Sequence, residues 1–420
     1  MTRAGPEPRA GRAPGRSQAG PRPLGGPDDV PGGRGVVRTT RWALLFGNFV
    51  IGCGVMSVAG SINDISASLQ ISVALAGQLI TIAAVVMCFG APLAASWVAG
   101  FDRRRLLAWA MLWYAVGHAA CALMPSYAAL WPVRGATMLA AAVFSPQAGA
   151  AMGVMAAPEE RGRAITFVFL GWSVASVLGL PLAAWISETW GWRTTFGAIG
   201  GLGLVSAAWV YAVMPDGVRP AALSLRAWKD LLRHPVLMPM VLITALLGAG
   251  QFTLFSYLAP YYRLRLGASP AEITGLFAWF GCFGLVGNLL LTRHIDRIGT
   301  SRAVSASVLA ILASMLLWPL AGGLAGTALV IVPWALGCFS SNSAQQARLS
   351  IAAPALAPAL LALNTSAIYL GQAAGAAGGG WLVAGYGYAG LNWLGAAWTL
   401  AALALSVWVA RRAARPASFA

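Results

Sequence analysis

Two ionisable side chains, His118 and Arg134, fall clearly inside long apolar stretches of this sequence. A charge in a bilayer interior costs about 2.5–3.5 kcal/mol on insertion scales, so such residues are candidates for function. An unperturbed imidazole titrates near neutral pH, so His118 suits a proton relay, with a hydrogen-bonded structural histidine as the alternative. The guanidinium of Arg134 can attract an anionic group or lower a neighbour's proton affinity, or it can simply extend to the outer headgroups. Asp64, at the end of an apolar stretch, can titrate at an outer gate or cap a helix.

These residues are held by twelve long apolar stretches that contain almost no charge. A hydrocarbon core of about 30 Å needs roughly 20 apolar residues per spanning helix. Only helices or closed barrels satisfy their backbones in lipid, so the chain is predicted to be an all-α integral membrane protein. The predicted spans are 41–63, 73–98, 105–124, 129–155, 164–187, 194–214, 237–261, 273–292, 303–321, 326–347, 359–384 and 390–410.

The basic residues follow the predicted topology. All but Arg134, Arg193, Arg263 and Arg265 of the 28 lysines and arginines fall on the side of the N-terminus. This positive-inside asymmetry predicts that both termini are cytoplasmic. The net charge of +16 therefore reflects topology and anionic headgroups, and no nucleic-acid partner is expected.

Other classes of protein find little support. The five cysteines are isolated within the spans, which indicates packing residues and neither metal ligands nor a disulfide framework. There is no phosphate-binding Gly-x-x-x-x-Gly-Lys-Ser/Thr loop and no cluster of catalytic side chains, so no cofactor, metal or enzymatic activity is predicted.

The sequence divides into two halves that repeat. Residues 1–38, rich in Arg, Gly and Pro, are predicted to be a disordered basic tail without a secretory signal. A six-helix bundle at 39–214 is followed by a linker at 215–236, a second six-helix bundle at 237–412 and a tail at 413–420. The linker contains a short amphipathic segment at 225–233 that suits the membrane surface. Each half has an Asp-Arg step after its second span and a glycine-rich fifth span, and such repeats are typical of secondary transporters.

Several short runs resemble motifs of one transporter family. Asp102–Arg105 and Pro158–Ala164 fall in loops, whereas Gly171–Pro181 and Leu363–Gln372 fall in the fifth and eleventh spans. On these runs and the embedded Arg134, the chain over about 40–412 resembles the major facilitator superfamily. Within that superfamily it is similar to the drug:proton antiporter branch and the sugar- and arabinose-efflux-like subgroup. The resemblance implies two pseudo-symmetric six-helix bundles around a substrate cavity.

The resemblance also implies roles for individual residues. Spans one, four, seven and ten line the cavity in this fold. Candidate cavity residues, each of which can instead serve helix packing, are Asn48, Arg134, Thr137, Gln147, Gln251, Phe255, Tyr257, Asn342 and Asn364. Candidate gating residues are Asp102, Arg103, Gly171, Gly179, Pro181, Asp296, Arg297, Gly371 and Gly375. Among these, Asp102 is expected to form an ion-paired latch between the halves, with Asp296 as its weaker counterpart. Span three supports the cavity in this fold, which favours a structural role for His118.

One departure from the family pattern bears on mechanism. The subgroup commonly has Gly-x-x-Glu-Phe in its first span, where this sequence has Gly52-Cys53-Gly54-Val55-Met56, so Val55 replaces a proton-carrying acid. We predict a secondary active transporter that exports a small amphipathic drug, sugar or metabolite by proton-coupled alternating access. The alternatives are an uncoupled facilitator or importer of a sugar-like metabolite, and a transport-dead sensor. The expected partners are the substrate, protons and lipids, for a monomer in the inner membrane.

Overall fold

The computed structural model describes residue 2 and residues 33–71, 73–219 and 225–413. Within these residues, twelve helices are long and apolar enough to cross a membrane, and no strand is present. The all-α, twelve-span prediction is therefore confirmed. Because the number of these helices is even, the start of the first and the end of the last lie on one side of the bundle. We call this the terminal side and the opposite one the far side.

The first half contains seven helices that make six spans. They are α1 Gly33–Leu69, α2 Val73–Trp97, α3 Arg103–Leu123, α4 Tyr127–Met155, α5 Arg161–Val174, α6 Leu180–Trp190 and α7 Trp192–Val213. Helices α5 and α6 belong to one span and are joined by a π-helical turn at Ala175–Gly179. Pro181 lies just beyond this turn and has no backbone N–H to donate, which accounts for the local change in helical pitch.

The second half follows a short helix in the linker. Its helices are α8 Leu225–Leu232, α9 Leu237–Phe255, α10 Leu258–Leu266, α11 Pro270–Ile298, α12 Thr300–Leu317, α13 Gly323–Ala352, α14 Ala357–Tyr386 and α15 Leu391–Ala413. Helix α8 agrees with the amphipathic segment predicted in the linker. Leu231 of α8 is buried, and Trp228 packs against the hydrophobic cores of both halves.

Two boundaries differ from the sequence-based expectation. Helix α1 begins at Gly33, so 33–38 are helical and not part of a disordered tail, because Val36 and Val37 pack against the first-half core. Residues 3–32 and 414–420 lie outside the described part of the chain. The seventh span ends at Phe255 and not near 261, since the chain turns at Ser256–Tyr257 before the separate helix α10.

The repeat of the two halves is visible in helix packing. A Cβ on Gly171 of α5 would overlap the backbone of α1 at Leu45 and Phe49. A Cβ on Gly371 of α14 would overlap the backbone of α9 at Ala245 and Ala249, the corresponding positions of the second half. The fifth and eleventh spans therefore approach the first and seventh in the same way, as small residues in their helices predict.

Candidate substrate and gating site

A hydrogen-bonded group of neutral polar side chains joins three spans of the first half. Asn48 Oδ1 on α1 accepts hydrogen bonds from Ser145 Oγ on α4 at 2.7 Å and from Trp172 Nε1 on α5 at 3.2 Å. Asn48 Nδ2 donates to the Leu44 carbonyl at 3.3 Å. Asn48 is fully buried, so these bonds replace the water that its amide would otherwise need.

A second neutral polar group joins three spans of the other half. Asn364 Oδ1 on α14 accepts from Thr244 Oγ1 on α9 at 2.6 Å, and Asn364 Nδ2 donates to Asn342 Oδ1 on α13 at 3.4 Å. Between two of the same helices, Gln251 Oε1 on α9 accepts from Trp334 Nε1 on α13 at 3.0 Å. The predicted cavity residues Asn342 and Asn364 are thus in contact with each other.

The two polar groups adjoin the interface between the halves. Trp172 packs against the cores of both halves, and Ala362, two residues before Asn364, belongs to the first-half core. A buried hydrogen bond crosses the interface from Asn288 Nδ2 on α11 to Ser173 Oγ on α5 at 2.8 Å. Further hydrogen bonds between the halves join α2 to α14 and α5 to α11, at this depth or nearer the terminal side. The terminal side is therefore closed.

Three buried amide oxygens near this interface have no hydrogen-bond donor within the described part of the chain. They belong to Gln147 on α4, Asn288 on α11 and Gln345 on α13, each at most 2% exposed. Buried amide oxygens without a donor are uncommon in folded proteins because each forgoes its hydrogen bond to water. A ligand with hydroxyl or N–H groups can supply the missing donors, and this arrangement suits a small molecule with both polar and apolar faces.

His118 and Arg134 form a direct pair inside the first half. Arg134 Nη1 lies 3.2 Å from His118 Nε2, and Arg134 Nη2 donates to the Gly54 carbonyl at 2.7 Å. His118 Nδ1 lies 2.9 Å from the Tyr114 carbonyl, which can only accept, so Nδ1 carries the proton and Nε2 accepts from the guanidinium. Both side chains are fully buried, so Arg134 does not extend to the headgroups.

No carboxylate contacts Arg134 among the described residues, and its Nε has no partner there. The guanidinium instead lies 5.6 Å from the ring centre of Phe196 on α7, in addition to the histidine and the carbonyl. Thr137, one turn further along α4, donates to the Val133 carbonyl at 2.7 Å and lies beside Gly117 of α3. Arg134 and Thr137 therefore face α3 within their own half, away from the polar groups at the interface.

Asp64 holds the start of α7. Its Oδ2 accepts from Trp192 N at 2.5 Å and from Ser187 Oγ at 3.3 Å. Trp192 is the first residue of α7, so the carboxylate satisfies one of the free N–H groups of that helix. These contacts correspond to the capping alternative for Asp64.

Asp102 makes its contacts within the first half and the start of the linker that follows it. Its Oδ1 accepts from Arg104 N at 3.0 Å at the start of α3, and its Oδ2 accepts from Gly217 N at 2.6 Å. Arg219 approaches Oδ2 at 3.7 Å. The fully buried Arg103 donates from Nη1 to the carbonyls of residues 98 and 101, which holds the preceding loop. In this closed state Asp102 therefore anchors the loop to the connection after α7, and a latching role between halves stays a prediction.

Asp296, unlike Asp102, makes a contact that crosses between the halves. Its Oδ1 on α11 accepts from Arg163 N at the start of α5, at 3.0 Å. A Cβ on Gly162 would stand 2.6 Å from this oxygen, so the glycine leaves room for the carboxylate. The neighbouring Arg297 is exposed and has no ion pair in the described residues. From the sequence, Asp102 is the stronger latch candidate because it lies near a cluster of arginines, but the sequence does not show which helix start each carboxylate contacts.

The remaining candidates pack helices together. Gly179 and Gly375 allow close approach to α1 and α9, where a Cβ would meet Cys53 Sγ and the Ala249 carbonyl. Tyr257 donates to the carbonyl of residue 376 on α14 at 2.7 Å. The cluster of aromatic rings in the second half, with centroids 5.6–6.3 Å from that of Phe255, comprises Phe255, Phe277, Phe280 and Trp334.

Sequence reasoning did not single out Ser145, Ser173 or Asn288, although all three belong to the hydrogen bonds at the interface. An isolated serine or asparagine in an apolar span has no distinguishing spacing. The only signal that could have found them is their polarity at positions where most neighbours are apolar.

Twelve spans in two repeated halves, with polar groups at their interface, define a membrane transport protein. The Major Facilitator Superfamily model matches residues 44–359, and the chain belongs to this family. It is 30% identical over 349 residues to the inner membrane transport protein YdhP of Escherichia coli K12, covering 82% of this chain and 89% of that one.

Solved structures show the same fold at low sequence identity. The human organic anion transporter MFSD10 has a TM-score of 0.72 at 16% identity, covering 90% of this chain and all of that one. A bacterial homologue of the iron transporter ferroportin, in an outward-facing state, has a TM-score of 0.73 at 14% identity, and the match covers 89% of this chain and 100% of that one. The chain is therefore a multi-pass transporter of the major facilitator fold.

Proposed function

We propose that this protein exports a small amphipathic molecule by proton-coupled alternating access, as a member of the drug:proton antiporter branch. The observation that carries the proposal is the set of neutral polar groups beside the interface, with buried amide oxygens on α4, α11 and α13 that no described residue satisfies. A drug, sugar or metabolite with an apolar face can pack on Trp172 and donate hydrogen bonds to those oxygens.

The closed terminal side supports alternating access. Rocking of the halves about their interface must break the Asp296–Arg163 contact and the Asn288–Ser173 hydrogen bond. We further propose that the terminal side is cytoplasmic, from the distribution of arginines, and that the protein is a monomer of the inner membrane. A fluorescent protein that matures only in the cytoplasm, fused after Ala420, should therefore be bright.

The test is accumulation of drugs, pentoses, nucleosides and amino-acid metabolites in an efflux-deficient host, with and without an uncoupler. Export should lower accumulation of at least one class, and the uncoupler should restore it. If every compound accumulates to the same level in cells with and without the protein, export is contradicted.

A variant at Gln147 tests the polar site itself. Gln147→Met removes an amide whose oxygen has no donor among the described residues, so folding should persist while the apparent affinity falls about 3- to 20-fold. The matched control is Gln78→Met on the exposed far end of α2, which should transport normally. Equal transport by both variants would contradict a substrate site at Gln147.

An uncoupled facilitator is the second candidate. It is favoured by Val55, which stands where the subgroup has an acid, and by the use of Asp64 in capping α7. In the same assay a facilitator would equilibrate its substrate with or without the uncoupler, whereas the exporter would hold the internal concentration below the external one only while the proton gradient persists.

A further inference from the structure

A groove on the membrane-facing surface of the second half runs between α11 and α12, with α13 as its floor. It has a volume of about 240 Å³, and its lining includes Gly287, Leu290, Ile298, Ala303, Ala306 and Ser340. Leu290 and Ile298 are 50% and 40% exposed, so large side chains flank a floor made of small ones. The groove is therefore open to the lipid along its length.

The chemistry of the groove suits a hydrocarbon chain. The two serine hydroxyls that line the groove already have hydrogen-bond partners. Ser307 Oγ lies 3.0 Å from Ser340 Oγ, and Ser340 Oγ donates to the Leu336 carbonyl at 2.6 Å. Gly287 lies so close to Leu336 that a Cβ would overlap its backbone, which brings α11 down onto α13. Gly287 to Ile298 spans about 16 Å of helix, close to half of a hydrocarbon core of about 30 Å, so the groove matches one leaflet.

The end of the groove on the terminal side is basic. Arg293, His294, Arg297 and Arg302 are all exposed there, and no ion pair in the described residues involves them. His294 itself lines the groove, and its Nδ1 lies 2.8 Å from the Leu290 carbonyl, so Nε2 is directed away from that bond. The one acid of this segment, Asp296, is engaged with Arg163 N of the other half. The positive charge is therefore available to a ligand.

We propose that this groove binds an anionic phospholipid of the leaflet on the terminal side. One acyl chain occupies the groove between α11 and α12, and the phosphate headgroup lies among Arg297, Arg302 and His294. Charge complementarity selects an anionic lipid over a zwitterionic one, because each basic residue near the surface contributes about fivefold to the affinity for such a headgroup. Basic pockets between spans on this side of a membrane are a recurring form of lipid site.

The proposal can be tested by native mass spectrometry of the full-length protein, titrated with phosphatidylglycerol and, in parallel, with phosphatidylcholine. The wild type should retain phosphatidylglycerol preferentially. The double variant Arg297→Gln/Arg302→Gln should weaken this binding about 25-fold. Arg38→Gln/Arg105→Gln is the matched control, because it removes two exposed charges on the same side of the membrane but from the first half, away from α11 and α12. Exposed charges more than about 10 Å apart are largely screened, so this control should change the affinity by less than about fivefold.

Two further measurements separate a lipid site from a general charge effect. Ala306→Leu fills the groove without changing charge and should lower phosphatidylglycerol binding, whereas glycerol phosphate without acyl chains should not compete. The proposal is overturned if the two double variants weaken binding equally, if Ala306→Leu binds like the wild type, or if glycerol phosphate displaces the lipid. All of the substituted arginines are exposed and Ala306 faces lipid, so thermal melting in detergent should verify that each variant is folded.

Discussion

The contact between Asp296 and the start of α5 offers a direct test of how the closed state is held. In Gly162→Ala, the new methyl carbon would stand 2.6 Å from Asp296 Oδ1, so the carboxylate must withdraw from Arg163 N. A hydrogen bond to a charged group contributes about 1.5–3 kcal/mol, and the exposure of Asp296 places this one near the lower value. Because about 1.4 kcal/mol corresponds to tenfold, the ratio of closed to open molecules should fall about tenfold. The higher helix propensity of alanine acts in both states and largely cancels.

Pulsed electron paramagnetic resonance can measure this shift. Spin labels at Arg105→Cys and Arg411→Cys, in a background without the five native cysteines, report the separation of the two halves on the terminal side. Gly162→Ala should increase the population at long distance. The control is Gly201→Ala on α7, a helical glycine where a new Cβ would meet no other atom within 4 Å, and it should leave the distribution unchanged. Identical distributions for both variants would refute the role of Asp296 in holding the terminal side closed.

Two other predictions separate structural from proton-carrying roles. Asp64→Ala should lower the free energy of unfolding by about 1–2 kcal/mol, seen as a lower Tm, because it leaves Trp192 N without its acceptor. Asp64→Asn should recover most of that loss and still transport; inactive Asp64→Asn with an unchanged Tm would instead point to titration. His118→Gln retains an acceptor for Arg134 but cannot take up a proton at neutral pH, so it should fold, and it should lose uncoupler-sensitive export if His118 carries the coupling proton. Unchanged proton-driven export by this variant would exclude His118 as the proton carrier.

The spans could be predicted from sequence because the bilayer imposes a minimum length on each apolar run. The small residues of the eleventh span likewise predicted its close packing, which Gly371 and Gly375 now show against α9. Local breaks were harder to predict. The turn at Ser256–Tyr257 lies inside an apolar run without a charge, and the π-helical turn before Pro181 depends on how one span packs on another.

The site was predicted residue by residue but not as pairs. His118 and Arg134 were each singled out by their charge, yet only the packing of α3 against α4 brings them into contact. The same holds for Asn48, whose partners come from two other spans. The sequence shows that Asp102 and Asp296 each lie near a helix end, but it does not show which helix start each carboxylate contacts. Asp102 contacts the start of α3 in its own half, whereas Asp296 contacts the start of α5 in the other half.

The position of Arg134 shows how this chain accommodates a first span without an acid. Its Nη2 bonds to the carbonyl of Gly54, the residue before Val55, and a Cβ on Gly54 would crowd His118 Nε2 at 2.7 Å. The guanidinium is therefore held by neutral groups, and no carboxylate among the described residues balances its charge. Two unit charges about 4 Å apart repel by about 4 kcal/mol at an effective dielectric constant of about 20. A proton on His118 Nε2 would also remove the lone pair that accepts from Arg134. If His118 carries the coupling proton, protonation of His118 and displacement of Arg134 are consequently a single event.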